Sequence, residues 1–218
     1  KRYYAEIMMP FRKVIQVNLK KIKDLEFDMI APSHGPVYDN PEFILDAYRD
    51  WAGDEVKNQV LLPFISMHHS TEAMVNYFTD ALMDRGIKVK RFDLEEPETG
   101  LLAMAMVDAA TLILGTPTML GQAHPKAAYA ALLTNCLRPK TRFMSLIGSY
   151  GWGGQMVKQI TDLTKSLRTE ILEPVIAKGY PQEPDFRKLD TLADQILEKH
   201  RSIGIAEEKT VQNITKGA

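Results

Sequence analysis

The sequence predicts an α/β fold, a five-stranded doubly wound parallel sheet over residues 54–205, and three observations carry that expectation. From Gln59 onward, short apolar runs recur about every 25 to 30 residues. Amphipathic stretches with helical spacing separate them. Three of the segments that follow the runs are rich in Ser, Thr and Gly, the residue types of a ligand-binding sheet edge. Strands alternating with helices imply parallel pairing through right-handed crossovers, with helices on both faces.

The expected strands are Gln59 to Ile65, Ile87 to Phe92, Thr111 to Gly115, Arg142 to Ile147 and Glu170 to Ile176. Between the first two, Met74, Phe78, Ala81 and Leu82 fall on one face of a helix over Thr71 to Arg85, and Gly86 supplies its stop. Similar patterns predict helices over Lys126 to Leu137, Gln155 to Leu167 and Asp185 to Lys199. Leu101 to Val107 is shorter and apolar throughout. Pro63 interrupts the first run; a proline lacks the donor of a central ladder and argues for an edge position. Ahead of the sheet, helices are expected over Lys13 to Leu25 and Pro41 to Ala52, the latter with Asn40 as cap. Between them lies the loop Pro32-Ser33-His34-Gly35-Pro36. Residues 206–218 are polar, aperiodic and expected to form a tail.

The 218 residues carry 27 basic and 28 acidic side chains, so no electrostatic footprint for nucleic acid exists. No apolar run reaches the roughly 18 to 20 residues of a membrane span. The single cysteine, Cys136, excludes an intrachain disulfide and a multi-thiolate metal site, and a reducing, cytoplasmic setting is expected. Lys1 opens the chain without a signal peptide and without an initiator methionine, as if inside a domain.

In the strand order 2-1-3-4-5, strands one, three and four lie side by side and their following loops converge. The first loop, Ser66-Met67-His68-His69-Ser70-Thr71, brings hydroxyls and main-chain N–H groups to a helix N-terminus, a setting suited to a phosphate. It lacks the Gly-Lys-Ser/Thr ending of a P-loop, and no Gly-x-Gly-x-x-Gly follows the strand, so a monophosphate fits better than a triphosphate or dinucleotide. The second loop is Thr116-Pro117-Thr118-Met119-Leu120-Gly121. In the third, Ser149-Tyr150-Gly151-Trp152-Gly153-Gly154, two aromatic rings among glycines suit a flat heterocycle such as a flavin. The plainer alternative is that the hydroxyls cap a helix and the aromatics fill a turn. His34, in its rigid Pro/Gly loop, has the chemistry of an iron or zinc ligand. His124 and His200 read as structural or solvated. No Ser-His-Asp arrangement is evident.

Several of these motifs resemble one family. SMHHSTEAM at Ser66 to Met74, GTPTMLG at Gly115 to Gly121 followed by His124-Pro125-Lys126, LRPK at Leu137 to Lys140 and IGSYGWGG at Ile147 to Gly154 are similar to the flavodoxin-like domain of flavodiiron proteins. Tyr3-Tyr4 through Phe11, then IAPSHGPVY at Ile30 to Tyr38 and Tyr48 to Trp51, resemble the last segment of that family's metallo-β-lactamase-like domain, over residues 1–53.

The resemblance implies an oxidoreductase that reduces dioxygen to water or nitric oxide to nitrous oxide, with FMN feeding electrons to a non-haem diiron centre. Rubredoxin, another flavoprotein or reduced deazaflavin would be the donor. The resemblance further implies a head-to-tail homodimer, His34 as an iron ligand, and Tyr3 or Tyr4 close behind the irons. Ser66, Ser70 and Thr71 would cradle the FMN phosphate, and the second and third loops would wall the isoalloxazine. His69 stands where the family has a glycine, which predicts either obstruction of the phosphate or an unfavourable backbone angle. Met119-Leu120 replaces an aromatic or asparagine common in the family. The remaining iron ligands would lie upstream of Lys1, on a complementary N-terminal polypeptide. The competing reading is a stand-alone flavodoxin-like FMN carrier.

Overall fold

The computed structural model describes residues 1–96 and 98–207. The expected tail falls almost wholly outside the described residues. The sheet strands are β1 (Lys57–Phe64), β2 (Lys88–Asp93), β3 (Ala109–Met119), β5 (Phe143–Tyr150), β6 (Glu170–Ile171) and β7 (Val175–Lys178), with β4 (Gln122–Ala123) a short antiparallel addition to β3. Helices α1 (Arg12–Lys21), α2 (Pro41–Ala52), α3 (Ser70–Asp84), α4 (Thr99–Met106), α5 (Pro125–Leu137), α6 (Met156–Leu163) and α7 (Glu183–Ser202) complete the fold. Among the described residues, no helix is long and apolar enough to cross a membrane.

The parallel order is β2-β1-β3-β5, with β6 and β7 both beside β5. This is the expected order with its fifth strand broken. Leu172 N still donates to the Met144 carbonyl at 2.8 Å, but Pro174 has no N–H to offer, and pairing resumes only at Val175. Side-chain alternation sorts the strands onto two cores. Leu61, Leu112, Leu114, Met144 and Leu146 pack with Tyr4, Met9 and residues of α4 and α5, while Val60, Leu62, Ile113, Phe143 and Ile147 pack under α3 and α7.

Pro63 does not push β1 to an edge. It lies opposite Phe92 in a strand paired on both sides, and its neighbours keep the ladder: Leu94 N donates to the Phe64 carbonyl at 2.8 Å and Ile65 N to the Gly115 carbonyl at 3.0 Å. One missing donor is accommodated because the rungs on either side of it keep their hydrogen bonds.

Gly86 ends α3 as expected, at φ 73°, with its N–H on the Met83 carbonyl and Ile87 N on Leu82, so that buried Ile87 closes over the last turn. Two expectations for the N-terminal part need correction. α1 stops at Lys21 rather than Leu25, and Asn40 occupies the cap position of α2 without a side-chain hydrogen bond. Tyr4–Met8 forms a π-helical turn, which the sequence reading did not anticipate; it buries Tyr4 and Ala5.

Residues 1–53 meet the sheet domain through Lys1, which pairs with Asp108, through Tyr4, Ala5 and Met9, which join its core, and at the end of α2. Five successive carbonyls, from Asp50 to Asp54, each accept a side-chain hydrogen bond: from Lys140 (2.9 Å), Tyr4 (3.0 Å), Gln16 (2.7 Å), Arg12 (3.2 Å) and Arg142 (2.8 Å) in turn. These are the orphan acceptors of the α2 C-terminus and its continuation, and donors from both parts of the chain satisfy them. Hydrogen bonds from Arg12 and Lys13 hold the Asp54 carboxyl well below the ordinary carboxylate range.

Candidate functional site

The loops after β1, β3 and β5 meet at the carboxyl edge of the sheet around a cavity of about 520 Å³, within the range of small-molecule sites. Ser66, Met67, His68, Ser70 and Thr71 form one wall. Pro117, Thr118, Met119, Leu120 and Gly121 form the second, and Ser149, Tyr150, Gly151 and Trp152 the third. Gly179, after β7, also lines the cavity, and its N–H donates to the Tyr150 carbonyl at 2.8 Å. It was not among the residues expected at the site, because its place there follows from β7 lying beside the end of β5.

Thr71 sits in the first turn of α3 and is 1% exposed, yet its Oγ1 has no hydrogen-bond partner. A buried hydroxyl left unpaired costs about 1–3 kcal/mol, so a group that completes it would bind at this point. The first turn of α3 also presents main-chain N–H groups and the positive end of the helix dipole. Ser66 Oγ accepts from Glu72 N at 3.3 Å, which fixes the loop against the helix. Hydroxyls, amides and a helix N-terminus suit a phosphomonoester.

Four expected site residues do not line the cavity. Thr116 is fully buried behind it, with its Oγ1 donating to the Pro117 carbonyl and accepting from His124 N. Gly153 and Gly154 form the exposed end of the third loop, where a Cβ at Gly154 would come within 2.9 Å of Thr118 Cγ2; the glycine lets this loop close on the β3–β4 hairpin. His69 adopts φ 61°, the left-handed angle a glycine would take freely, but its ring turns outward and Nδ1 lies 2.7 Å from Glu72 Oε2. The expected backbone angle is present and the expected obstruction is not.

The hairpin tip carries strain of the same kind. Leu120 at φ 50° precedes Gly121 at φ 78°, and Leu120 is 88% exposed. Trp152, on the opposite lip, is 84% exposed. Two large apolar side chains at the mouth of one cavity, one on a strained backbone, are suited to cover an apolar ligand surface.

The metal candidate is more isolated. His34 lies on an exposed loop, its ring 5.4 Å from that of Tyr3. Tyr4 instead points into the core, where its hydroxyl donates to the Trp51 carbonyl and burial pushes its pKa up to about 12. Of the two tyrosines, Tyr3 is therefore the neighbour of His34. Among the described residues, no group of three or more His, Cys, Asp or Glu side chains could hold a metal ion. Cys136 is exposed.

Sheet order and cavity define a flavodoxin-like domain, and a flavodoxin from the domain Archaea shares the fold: TM-score 0.57 at 17% identity, covering 66% of this chain and 99% of that one. The homologues of the chain are flavodiiron proteins. The nitric oxide reductase of Moorella thermoacetica is 32% identical over 202 residues, which is 89% of this chain and 50% of that protein. The rubredoxin oxygen:oxidoreductase of Desulfovibrio gigas superposes with a TM-score of 0.87 at 25% identity, covering 92% of this chain and 52% of its own. The chain thus spans about half the length of the curated relatives it matches. No protein-family model matches it.

Proposed function

We propose that the chain is the flavin-binding, electron-transferring part of a flavodiiron oxidoreductase. FMN held by residues 54–205 would feed a non-haem diiron centre that reduces dioxygen to water or nitric oxide to nitrous oxide. The observation that carries this reading is the buried, unpaired Thr71 hydroxyl in a cavity built by three loops. The names of the Moorella and Desulfovibrio relatives supply the two substrates.

Ser66, Ser70, Thr71 and the first amides of α3 would hold the FMN phosphate. Met119, Leu120, Tyr150 and Trp152 would cover the ring system and exclude water, and Gly151 would let the main chain approach its polar edge. When bound, FMN supplies single-electron transfer between a donor and an acceptor centre. His34 alone does not make an iron site, so no chemistry at iron is assigned to residues of this chain. Residues 1–53 fit as one segment of the diiron domain, completed by residues outside the chain. A head-to-tail homodimer would set one copy's cavity against the partner's diiron domain. Rubredoxin, named with the Desulfovibrio relative, is the first donor to test, ahead of a second flavoprotein or a reduced deazaflavin.

A second reading, a stand-alone FMN carrier, draws on the near-complete coverage of the archaeal flavodoxin. Titration of the full chain with FMN, read by quenching of flavin fluorescence, tests what both readings share; absence of binding overturns both. Mass and iron analysis of the native preparation separates them. A co-purifying N-terminal polypeptide with a pair of irons supports the oxidoreductase, and its consistent absence supports the carrier.

A further inference from the structure

The cavity meets its proposed phosphate with few charges. The first wall contributes hydroxyls, an apolar side chain and one imidazole; the hairpin contributes Pro117 to Gly121, none of them ionisable; the third loop and Gly179 add only the Tyr150 phenol, which cannot carry a positive charge. No lysine or arginine lines the cavity among the described residues. His68 is therefore the one lining side chain able to carry a positive charge opposite a phosphomonoester of charge about −1.5 to −2. The other charged groups of this turn are His69 and Glu72, which lie against each other at 2.7 Å with the His69 ring in solvent.

We infer that His68, in its imidazolium form, grips the phosphate of the bound flavin and makes the chain's preference for FMN over unphosphorylated riboflavin dependent on pH. The inference rests on the flavin reading given above. Its sign follows from linkage. A dianion beside an imidazole favours the protonated ring, so binding of the phosphate is coupled to proton uptake. FMN affinity is then highest at the acidic end and falls as pH rises. Above about pH 6.5 the phosphate is already mostly dianionic, so the ligand's own second ionisation contributes little. Riboflavin carries no phosphate, and its affinity has no such slope.

The test is fluorescence titration of the full chain with FMN and with riboflavin at intervals from about pH 6.5 to 8.5, repeated for H68Q, H68K and H69Q. A charge-assisted hydrogen bond exceeds a neutral one by roughly a factor of five to ten in affinity. The expected result is a decline of about that size for FMN in the wild type and in H69Q. H68Q should be flat and weak, H68K flat and tight, and riboflavin flat throughout. An H68Q slope equal to wild type, or a slope lost in H69Q instead, overturns the assignment while leaving the flavin site intact. Failure of FMN to bind any variant at any pH overturns the flavin reading itself.

Discussion

His200 Nε2 lies 2.7 Å from the hydroxyl of Thr111, so the last long helix is pinned to the middle of the sheet by a buried polar pair. The other ring nitrogen, Nδ1, is 2.8 Å from Asn58 Oδ1, and Asn58 in turn donates Nδ2 to the Gly86 carbonyl. Because Asn58 Oδ1 can only accept, the proton sits on Nδ1 and Nε2 accepts from Thr111. Both nitrogens are used by the neutral ring.

Burial lowers the His200 pKa from 6.5 to about 4. The unfolded chain takes up a proton near 6.5 and the folded chain does not, so stability from this group is complete above that pH and is lost as pH falls towards 4. The loss is on the order of 3 kcal/mol. Urea denaturation at pH 7 and pH 4.5 should show a drop that shrinks markedly in H200Q; an equal drop in the variant would exclude His200 as its source.

Thr71→Ala removes the unpaired hydroxyl from the cavity wall. FMN affinity should fall by about 1.5–3 kcal/mol, the range for a hydrogen bond to a charged partner, while stability without ligand stays level or rises, because a buried orphan is gone. Isothermal titration and thermal melts of the same preparation measure both. Unchanged FMN affinity would remove Thr71 from the phosphate cradle.

Leu120→Gly relieves a left-handed leucine, worth about 1–2 kcal/mol, against a chain-entropy cost of about 0.5–1 kcal/mol. A small net gain in stability is expected together with weaker flavin binding, because the exposed side chain over the cavity mouth is lost. Weaker binding without any stability gain would mean that the hairpin is not strained.

At Gly148, a Cβ would collide with the Thr116 carbonyl oxygen of the adjacent strand, directly behind the cavity. Gly148→Ala should therefore cost about 1–3 kcal/mol and shift the second and third loops apart. The readout is a lowered Tm with loss of flavin binding; an unperturbed variant would show that the two strands part without cost.

Much of this architecture is legible in the residues because burial on both faces writes strands such as Leu112-Ile113-Leu114 as continuous apolar runs. The convergence of the three loops follows from strand order, and that order follows from the alternation of strands and helices. What escaped the sequence depends on tertiary context. Pro63 is held in place by intact rungs on either side, and Pro174 splits a strand whose apolar pattern continues past it. The outward turn of His69 is set by Glu72, three residues on. Gly179 reaches the cavity only because β7 lies beside the end of β5, a proximity that no local pattern encodes. The π-helical start reflects where Tyr4 must be buried, and its first residues have little periodicity of their own.

The row of captured carbonyls from Asp50 to Asp54 has a consequence for how the polypeptide could be divided. A junction fastened by side chains from both directions does not act as a swivel, and it does not depend on an unbroken backbone to stay closed. Severed between Gly53 and Asp54, the two fragments would remain docked through Lys140 on the Asp50 carbonyl, Arg12 and Lys13 on the Asp54 carboxylate, the Lys1–Asp108 pair and the shared core around Tyr4 and Met9, so expressing them as separate genes should still yield one particle on gel filtration.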